Sequence, residues 1–246
     1  DSSNQSFKEL IELQITEPLK EFELSKRIKR LGKINDNISQ RVKSQYEENP
    51  YPRWRYASHK ANEKISIIQA INNEIKPNYI SQIIGNKQLK ILIAGCGTGY
   101  QILQTQRYKN AKVTAIDLSS SSLCYAQRKI NELGINNVEL IQMDILEVSL
   151  LEEQFDIIEC GGVLHHMNDP SKGLKALLNV LKNNCFLKLG LYSELARQPI
   201  VEAREYINTK NLQPKGEDIK KFREDVFSGK IEQISNLRHF GNFYTM

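Results

Sequence analysis

The sequence predicts an α/β fold, a parallel sheet with helices on both faces, preceded by an N-terminal helical cap. Three observations carry this. From Lys90 onward, short apolar runs alternate with helix-length amphipathic stretches, the pattern of a parallel sheet buried on both sides. The first run, Ile91-Leu92-Ile93-Ala94, ends in Gly95-Cys96-Gly97-Thr98-Gly99. Glycines are needed where the backbone turns sharply or where a ligand must approach the main chain. The second run ends in Asp117. An acid about 20 residues beyond a glycine turn is where a nucleoside site needs a partner for ribose hydroxyls.

Taken in order, Phe7, Leu10, Ile11, Leu13 and Ile15 begin a periodic apolar set. Pro18 interrupts it, and Leu19, Phe22 and Ile28 continue it, so residues 1–60 read as helical. Gly32 ends this stretch, and a second amphipathic helix runs from about Ile38 to Glu48. Pro50 and Pro52 then break any helix, leaving an irregular segment with Tyr46, Tyr51 and Trp54. A further helix is expected from Lys60 to Ile75. Strands are expected at Lys90–Ala94, Lys112–Ile116, Val138–Gln142, Phe155–Cys160 and Cys185–Leu191. A helix follows the glycine turn, Ser119 caps another from Ser121 to Leu133, and a third fills Gly173 to Leu181. Beyond Tyr192 the pattern is helical to about Lys210 and again over Asp218–Phe227.

The domain reading is therefore a cap over 1–60, a core over 61–210, and a helical segment over 211–246. The first residue is Asp1, and the last segment, Phe240-Gly241-Asn242-Phe243-Tyr244-Thr245-Met246, is aromatic-rich. Natural termini usually fray in polar residues. A chain that continues into a further C-terminal region is expected, with these rings packed against it.

The 246 residues carry a formal net charge of +5, with 40% apolar and 26% charged residues, which excludes wholesale disorder. No run approaches the ~18 apolar residues of a membrane span, and nothing at the start resembles a signal peptide. Lys and Arg are interspersed with Glu and Asp, which reads as a solvated surface rather than a nucleic-acid stripe. Cys96, Cys124, Cys160 and Cys185 are widely spaced, with no CxxC pair and no nearby His. The expectation is reduced thiols, a cytoplasmic location, and no metal.

Around the glycine turn the spacing is G-x-G-x-G, and Tyr100 stands where the dinucleotide pattern has Gly or Ala. That points to a nucleoside-type ligand without a pyrophosphate, favoured by free N–H groups at a helix start. Asp117 reads either as the ribose acceptor or as a helix cap. In Gln142-Met143-Asp144-Ile145, Asp144 reads as acceptor for an exocyclic amine, with Met143 or Ile145 against a purine, or as a turn acid.

Ile-Ala-Gly-Cys-Gly-Thr-Gly, Thr-Ala-Ile-Asp-Leu-Ser, Gln-Met-Asp-Ile and Phe-Asp-Ile-Ile-Glu-Cys-Gly-Gly-Val-Leu-His-His-Met occur in that order. Over roughly residues 85–195 the chain thus resembles class I S-adenosylmethionine-dependent methyltransferases. The resemblance implies a Rossmann-like sheet, S-adenosylmethionine as cofactor and S-adenosylhomocysteine as product. Gly95, Cys96, Gly97 and Gly99 would line the methionine and ribose portion. Asp117 and Leu118 would hold the ribose, and Asp144 with Ile145 the adenine. Many members carry an acid two residues before the first glycine, reaching the methionine amino group. Here Ile93 stands there, so another group or a backbone carbonyl does that work.

Gln45-Tyr46-Glu47-Glu48-Asn49-Pro50-Tyr51-Pro52-Arg53-Trp54 and Gly190-Leu191-Tyr192-Ser193-Glu194-Leu195-Ala196-Arg197-Gln198 carry a narrower resemblance. They are similar to a bacterial group often fused to tetratricopeptide repeats, which includes rickettsial-type outer-membrane-protein lysine methyltransferases. This implies a protein substrate with acceptor lysines, and a homodimer through the C-terminal region. The rival readings are a small-molecule methyltransferase acting on a quinone precursor, a NAD-binding oxidoreductase, and a non-catalytic binding module.

Methyl transfer from a sulfonium is an in-line displacement that depends on positioning. Aromatic rings suit a cationic acceptor through cation–π attraction of about 0.5–2 kcal/mol. Tyr51 and Tyr192, with Tyr46 and Trp54, are candidates for this or for packing of the cap. His165 or His166, after the fourth strand, reads as a general base or as a structural hydrogen-bonding group. Glu159, near the end of that strand, is a candidate to meet the ligand. Arg53 either forks onto the methionine carboxylate or pairs with Glu47 or Glu48.

Overall fold

The structure, a computed structural model, describes residues 4–56, 64–81, 88–213, 215–231, 234 and 237–238. Six strands are β1 (Lys29–Arg30), β2 (Leu89–Ala94), β3 (Ala111–Asp117), β4 (Val138–Gln142), β5 (Phe155–Gly161) and β6 (Leu181–Gly190). They lie in the order β1-β4-β3-β2-β5-β6 with every neighbouring pair parallel. Successive strand residues face opposite sides, and both sides are covered. Ile91, Ile93, Val113, Ala115, Leu140 and Ile157 pack under α4 (Ile67–Glu74), α5 (Tyr100–Thr105) and α6 (Ser120–Glu132). Leu92, Ile116, Ile141 and Ile158 meet a 3₁₀ turn (Ile145–Leu151) and α7 (Pro170–Asn179) on the other. This two-sided burial explains why the strands read as continuous apolar runs.

The chain forms two compact units, Asp1–Leu191 and Tyr192–Met246. The second contains α8 (Glu194–Thr209), capped by Ser193, and α9 (Gly216–Phe227), around a core of Ala203, Val226, Ile231, Ile234 and Leu237. No helix among the described residues is long and apolar enough to cross a membrane. Cys96, Cys124 and Cys160 are buried free thiols and Cys185 is half-buried; burial pushes the Cys160 thiol up to about 12.

Several expectations are corrected. Pro18 does not interrupt the first helix. Between α1 (Gln5–Ile11) and α2 (Glu17–Ser25) the chain widens into a π turn over Glu12–Thr16, where Glu17 N–H bonds Glu12 O. Such a bulge accommodates a residue with no N–H to give. The region read as wholly helical also supplies β1, where Lys29 Nζ pairs with Glu139 at 2.7 Å. The helix expected from Lys60 begins at Ile67, because Ser66 caps it and Ile65 bridges to Tyr108 instead; residues 60–63 lie outside the described residues. α7 starts earlier than expected, since Asp169 accepts from Ser171 N–H and Pro170 opens the helix. β6 begins at Leu181, ahead of the expected Cys185. Its register on β5 shifts between Phe155 and Ile157, and Asn184 adopts φ +57°, an irregularity that hides the alternation. The aromatic segment 240–246 also falls outside the described residues.

Pairing β2 with β3 on one side and β5 on the other makes the sheet reverse its strand order at β2. In open parallel sheets the crevice beyond the strand ends at such a switch point is where ligands bind.

Candidate cofactor site

The glycine turn at the end of β2 is shaped first by packing. Gly95 has φ +81°, and a Cβ there would collide with Val163; Gly99 has φ +88°, and a Cβ would come within 2.8 Å of Ala126. Gly97 differs, since among the described residues a Cβ would meet only the Tyr51 carbonyl, at 3.6 Å. Its N–H donates to Asp117 Oδ2 at 2.7 Å, and Ser119 N–H donates to Oδ1 at 2.9 Å. Loop and acid are therefore one unit. Burial raises the Asp117 pKa and the Glu47 charge adds to this, while the amides of Ser119 and Gly97 pull it down. The capping of α6 falls to Ser119, whose Oγ accepts from Ser122 N–H at 3.0 Å.

Farther along, Asp144 is buried and its Oδ1 accepts from Leu146 N–H at 3.0 Å, capping the 3₁₀ turn, with Met143 and Ile145 buried beside it. The Leu118 carbonyl accepts from Gln142 Nε2 at 2.8 Å. The buried Cys96 thiol lies 3.7 Å from Gly97 O, and burial, then Asp117, raises its pKa well above the ordinary value.

A second wall comes from α3 (Asn37–Glu48) and the irregular segment after it. Glu47 accepts from Ser120 N–H and Ser121 N–H, both at 2.9 Å, and from Ser121 Oγ at 2.7 Å. A carboxylate at the start of α6 matches the positive end of that helix. Trp54 Nε1–H donates to Thr98 O at 3.1 Å, Thr98 Oγ1 donates to Pro52 O, and Tyr125 O–H donates to Trp54 O. The Trp54 ring meets Tyr100 and Tyr125 edge-on at 5.9 and 6.1 Å. The Lys129 ammonium lies 5.4 Å from the Trp54 centroid and 6.0 Å from that of Tyr125.

Thus Gly95, Cys96, Gly97, Gly99, Asp117, Leu118, Asp144 and Ile145 gather at the ends of β2, β3 and β4. Tyr51 passes over Gly97, and Tyr46 is half-buried on α3. The remaining candidates are placed differently. Glu159 is buried and accepts from Tyr108 O–H at 3.0 Å, with Arg107 at 3.8 Å. Burial and Glu159 together raise the Tyr108 pKa. Arg53 faces neither Glu47 nor Glu48; its guanidinium is 3.9 Å from Glu21 and 5.8 Å from the Tyr125 ring centroid. His165 and His166 share a 3₁₀ turn after β5, rings edge-on at 4.4 Å. Tyr192 belongs to the second unit, where Arg197 stacks 3.4 Å over its ring. Sequence reasoning missed Gln101, Tyr100, Thr98 and Gln142, and saw Glu47 only as an ion-pair partner. The one available signal was position: Tyr100 and Gln101 directly follow the last loop glycine.

The model for the methyltransferase domain matches residues 91–184. A ubiquinone biosynthesis O-methyltransferase of Pseudomonas fluorescens Pf0-1 is 31% identical over 172 residues, covering 67% of this chain and 71% of that protein. The chain belongs to the class I S-adenosylmethionine-dependent methyltransferases. An uncharacterized protein of Synechococcus is 34% identical over 143 residues, covering 57% of the chain and 33% of that protein. Among solved structures, PKMT2 from Rickettsia typhi in complex with AdoHcy is similar at 24% identity and a TM-score of 0.49, covering 56% of this chain and 28% of that one. The chain therefore spans a third or less of the length of these last two proteins. S-adenosylmethionine is the cofactor of this methyltransferase. The residues present fit it: Asp117 offers an ionisable acceptor, Gly97 opens the main chain, and the buried Gln101 Oε1 has no hydrogen-bond partner among the described residues.

Proposed function

We propose that the chain methylates an amine nitrogen, with protein lysine as acceptor. In this reading Asp117 accepts from the ribose hydroxyls, Leu118 lies beside it, and Asp144 with Ile145 holds the adenine. The bound sulfonium supplies an electrophilic methyl. The amine lone pair would displace the thioether from that methyl in line, and His165 or water would take the proton the nitrogen then sheds. The protein's part is to align the acceptor, exclude water and accommodate a cation.

The observation that carries the amine reading is the aromatic cluster beside the loop. Trp54 and Tyr125 already hold one alkylammonium, that of Lys129. Tyr100 continues the cluster, 41% exposed, while Tyr51 brings its main-chain carbonyl over the loop. Such faces attract ammonium and methylammonium groups, where a neutral phenol gains less. The resemblance of 45–54 and 190–198 to the group that includes outer-membrane-protein lysine methyltransferases supports the same reading and a homodimer, and the free thiols support a cytoplasmic location. A second reading, oxygen methylation of a small quinone precursor, is favoured by the ubiquinone-pathway relative.

Incubation with methyl-tritiated S-adenosylmethionine, a bacterial outer-membrane protein fraction and a catechol-type quinone precursor separates them. Label on protein lysine, located by mass spectrometry, is the expected result. Label in the catechol and in no protein would overturn the lysine reading.

A further inference from the structure

Ile93 is fully buried in the apolar layer under α4–α6, so the loop has no acid in that place to meet the cofactor's amino group. Gln101, the second residue of α5, lies directly after Gly99. Its Nε2–H donates to Gly161 O, at the end of β5, at 3.4 Å. The amide therefore bridges the two lips of the crevice, from the end of β2 to the end of β5. Facing a carbonyl, it must present nitrogen to Gly161, because an oxygen there would oppose oxygen. That leaves Oε1 on the other side, buried and with no hydrogen-bond partner among the described residues. A buried acceptor without a donor is costly and calls for an explanation.

An amide oxygen takes only a donor. Within this cofactor the donors are the adenine amine, the ribose hydroxyls and the ammonium of the amino-acid end. The first two belong, under the function proposed above, to Asp144 beyond β4 and Asp117 beyond β3. Gln101 stands at the opposite end of that row, between β2 and β5. We infer that Gln101 Oε1 accepts a hydrogen bond from the cofactor's ammonium and replaces the acid that Ile93 excludes. This inference rests on that reading of the site.

Gly161 gives an independent handle. A Cβ on Gly161 would come within 2.7 Å of Gln101 Nε2, and among the described residues the other atom within 4 Å is Gln101 Cδ. Gly161→Ala therefore acts on the site by displacing the Gln101 amide.

The test is calorimetric titration with S-adenosylhomocysteine and with 5′-methylthioadenosine, which keeps adenine, ribose and sulfur but has a methyl in place of the amino-acid end. Gln101→Leu should weaken S-adenosylhomocysteine about tenfold, the scale of one hydrogen bond to a charged group, and leave methylthioadenosine unchanged. Gly161→Ala, which keeps Gln101, should shift the same ligand in the same direction and add nothing in the Gln101→Leu background. Equal weakening of both ligands, or of neither, would overturn the inference. If the unmodified protein bound neither ligand, the cofactor reading itself would fall, and the inference with it.

Discussion

The two walls of the candidate cofactor crevice are built by different means. On the strand-end wall, Asp117 is locked by the Gly97 and Ser119 amides, and the turn is imposed by Val163 against Gly95 and Ala126 against Gly99. That wall follows from the sheet. The N-terminal wall has no strand beneath it among the described residues. It is held by main-chain carbonyls of Pro52 and Trp54, one indole N–H, and the Glu47 carboxylate on α6. The difference teaches that a substitution in the first wall should strike the ligand, and one in the second should strike the seating of the cap.

The largest expected effect falls on the cap. Arg128 is 2% exposed and faces Glu17, Glu21 and Glu132 at 2.9, 3.0 and 2.6 Å. Arg128→Ala leaves carboxylates at α2 without their partner and should cost about 3–5 kcal/mol of stability in denaturant unfolding. Asp117→Ala comes next. It should weaken S-adenosylhomocysteine about 100-fold in calorimetry, two charge-assisted bonds' worth, with the fold intact by circular dichroism; unchanged affinity would refute the ribose assignment. Trp54→Phe keeps a ring for Lys129 but removes the donor to Thr98 O, and should cost about 1 kcal/mol of stability.

The smallest effect concerns pH. The pKa of Asp117 is raised above its ordinary 3.8, partly by Glu47. Affinity for S-adenosylhomocysteine should therefore fall as pH drops through that raised value, and Glu47→Gln should move the fall to lower pH. The stability contribution has the opposite sign: a raised carboxyl stabilises the fold fully below 3.8 and loses this as pH rises through the folded value. A pH profile identical in Glu47→Gln would separate the two walls entirely.

The strand-end wall was legible in the sequence because each part has a local signature. β2 to β5 and α6 stand within a few residues of where periodicity and the Ser119 cap put them. On the N-terminal wall Tyr51, Arg53 and Trp54 stood out as candidates, but the contacts that seat them did not, since carbonyl acceptors carry no side-chain signal and every residue type has one. Glu47 acts across 73 residues of sequence separation on Ser120, and no spacing rule reaches that far. β1 escaped because two residues have no period, and Pro18 misled because a π turn absorbs what an α turn cannot. Gln101 was hidden for another reason: an unpaired amide oxygen is visible only once its surroundings are known.

The measurement closest to the central claim is calorimetric titration of the unmodified chain with S-adenosylhomocysteine and, separately, with NAD. A G-x-G-x-G turn closed onto Asp117 predicts saturable binding of S-adenosylhomocysteine and none of NAD. Saturable binding of NAD without S-adenosylhomocysteine would contradict it.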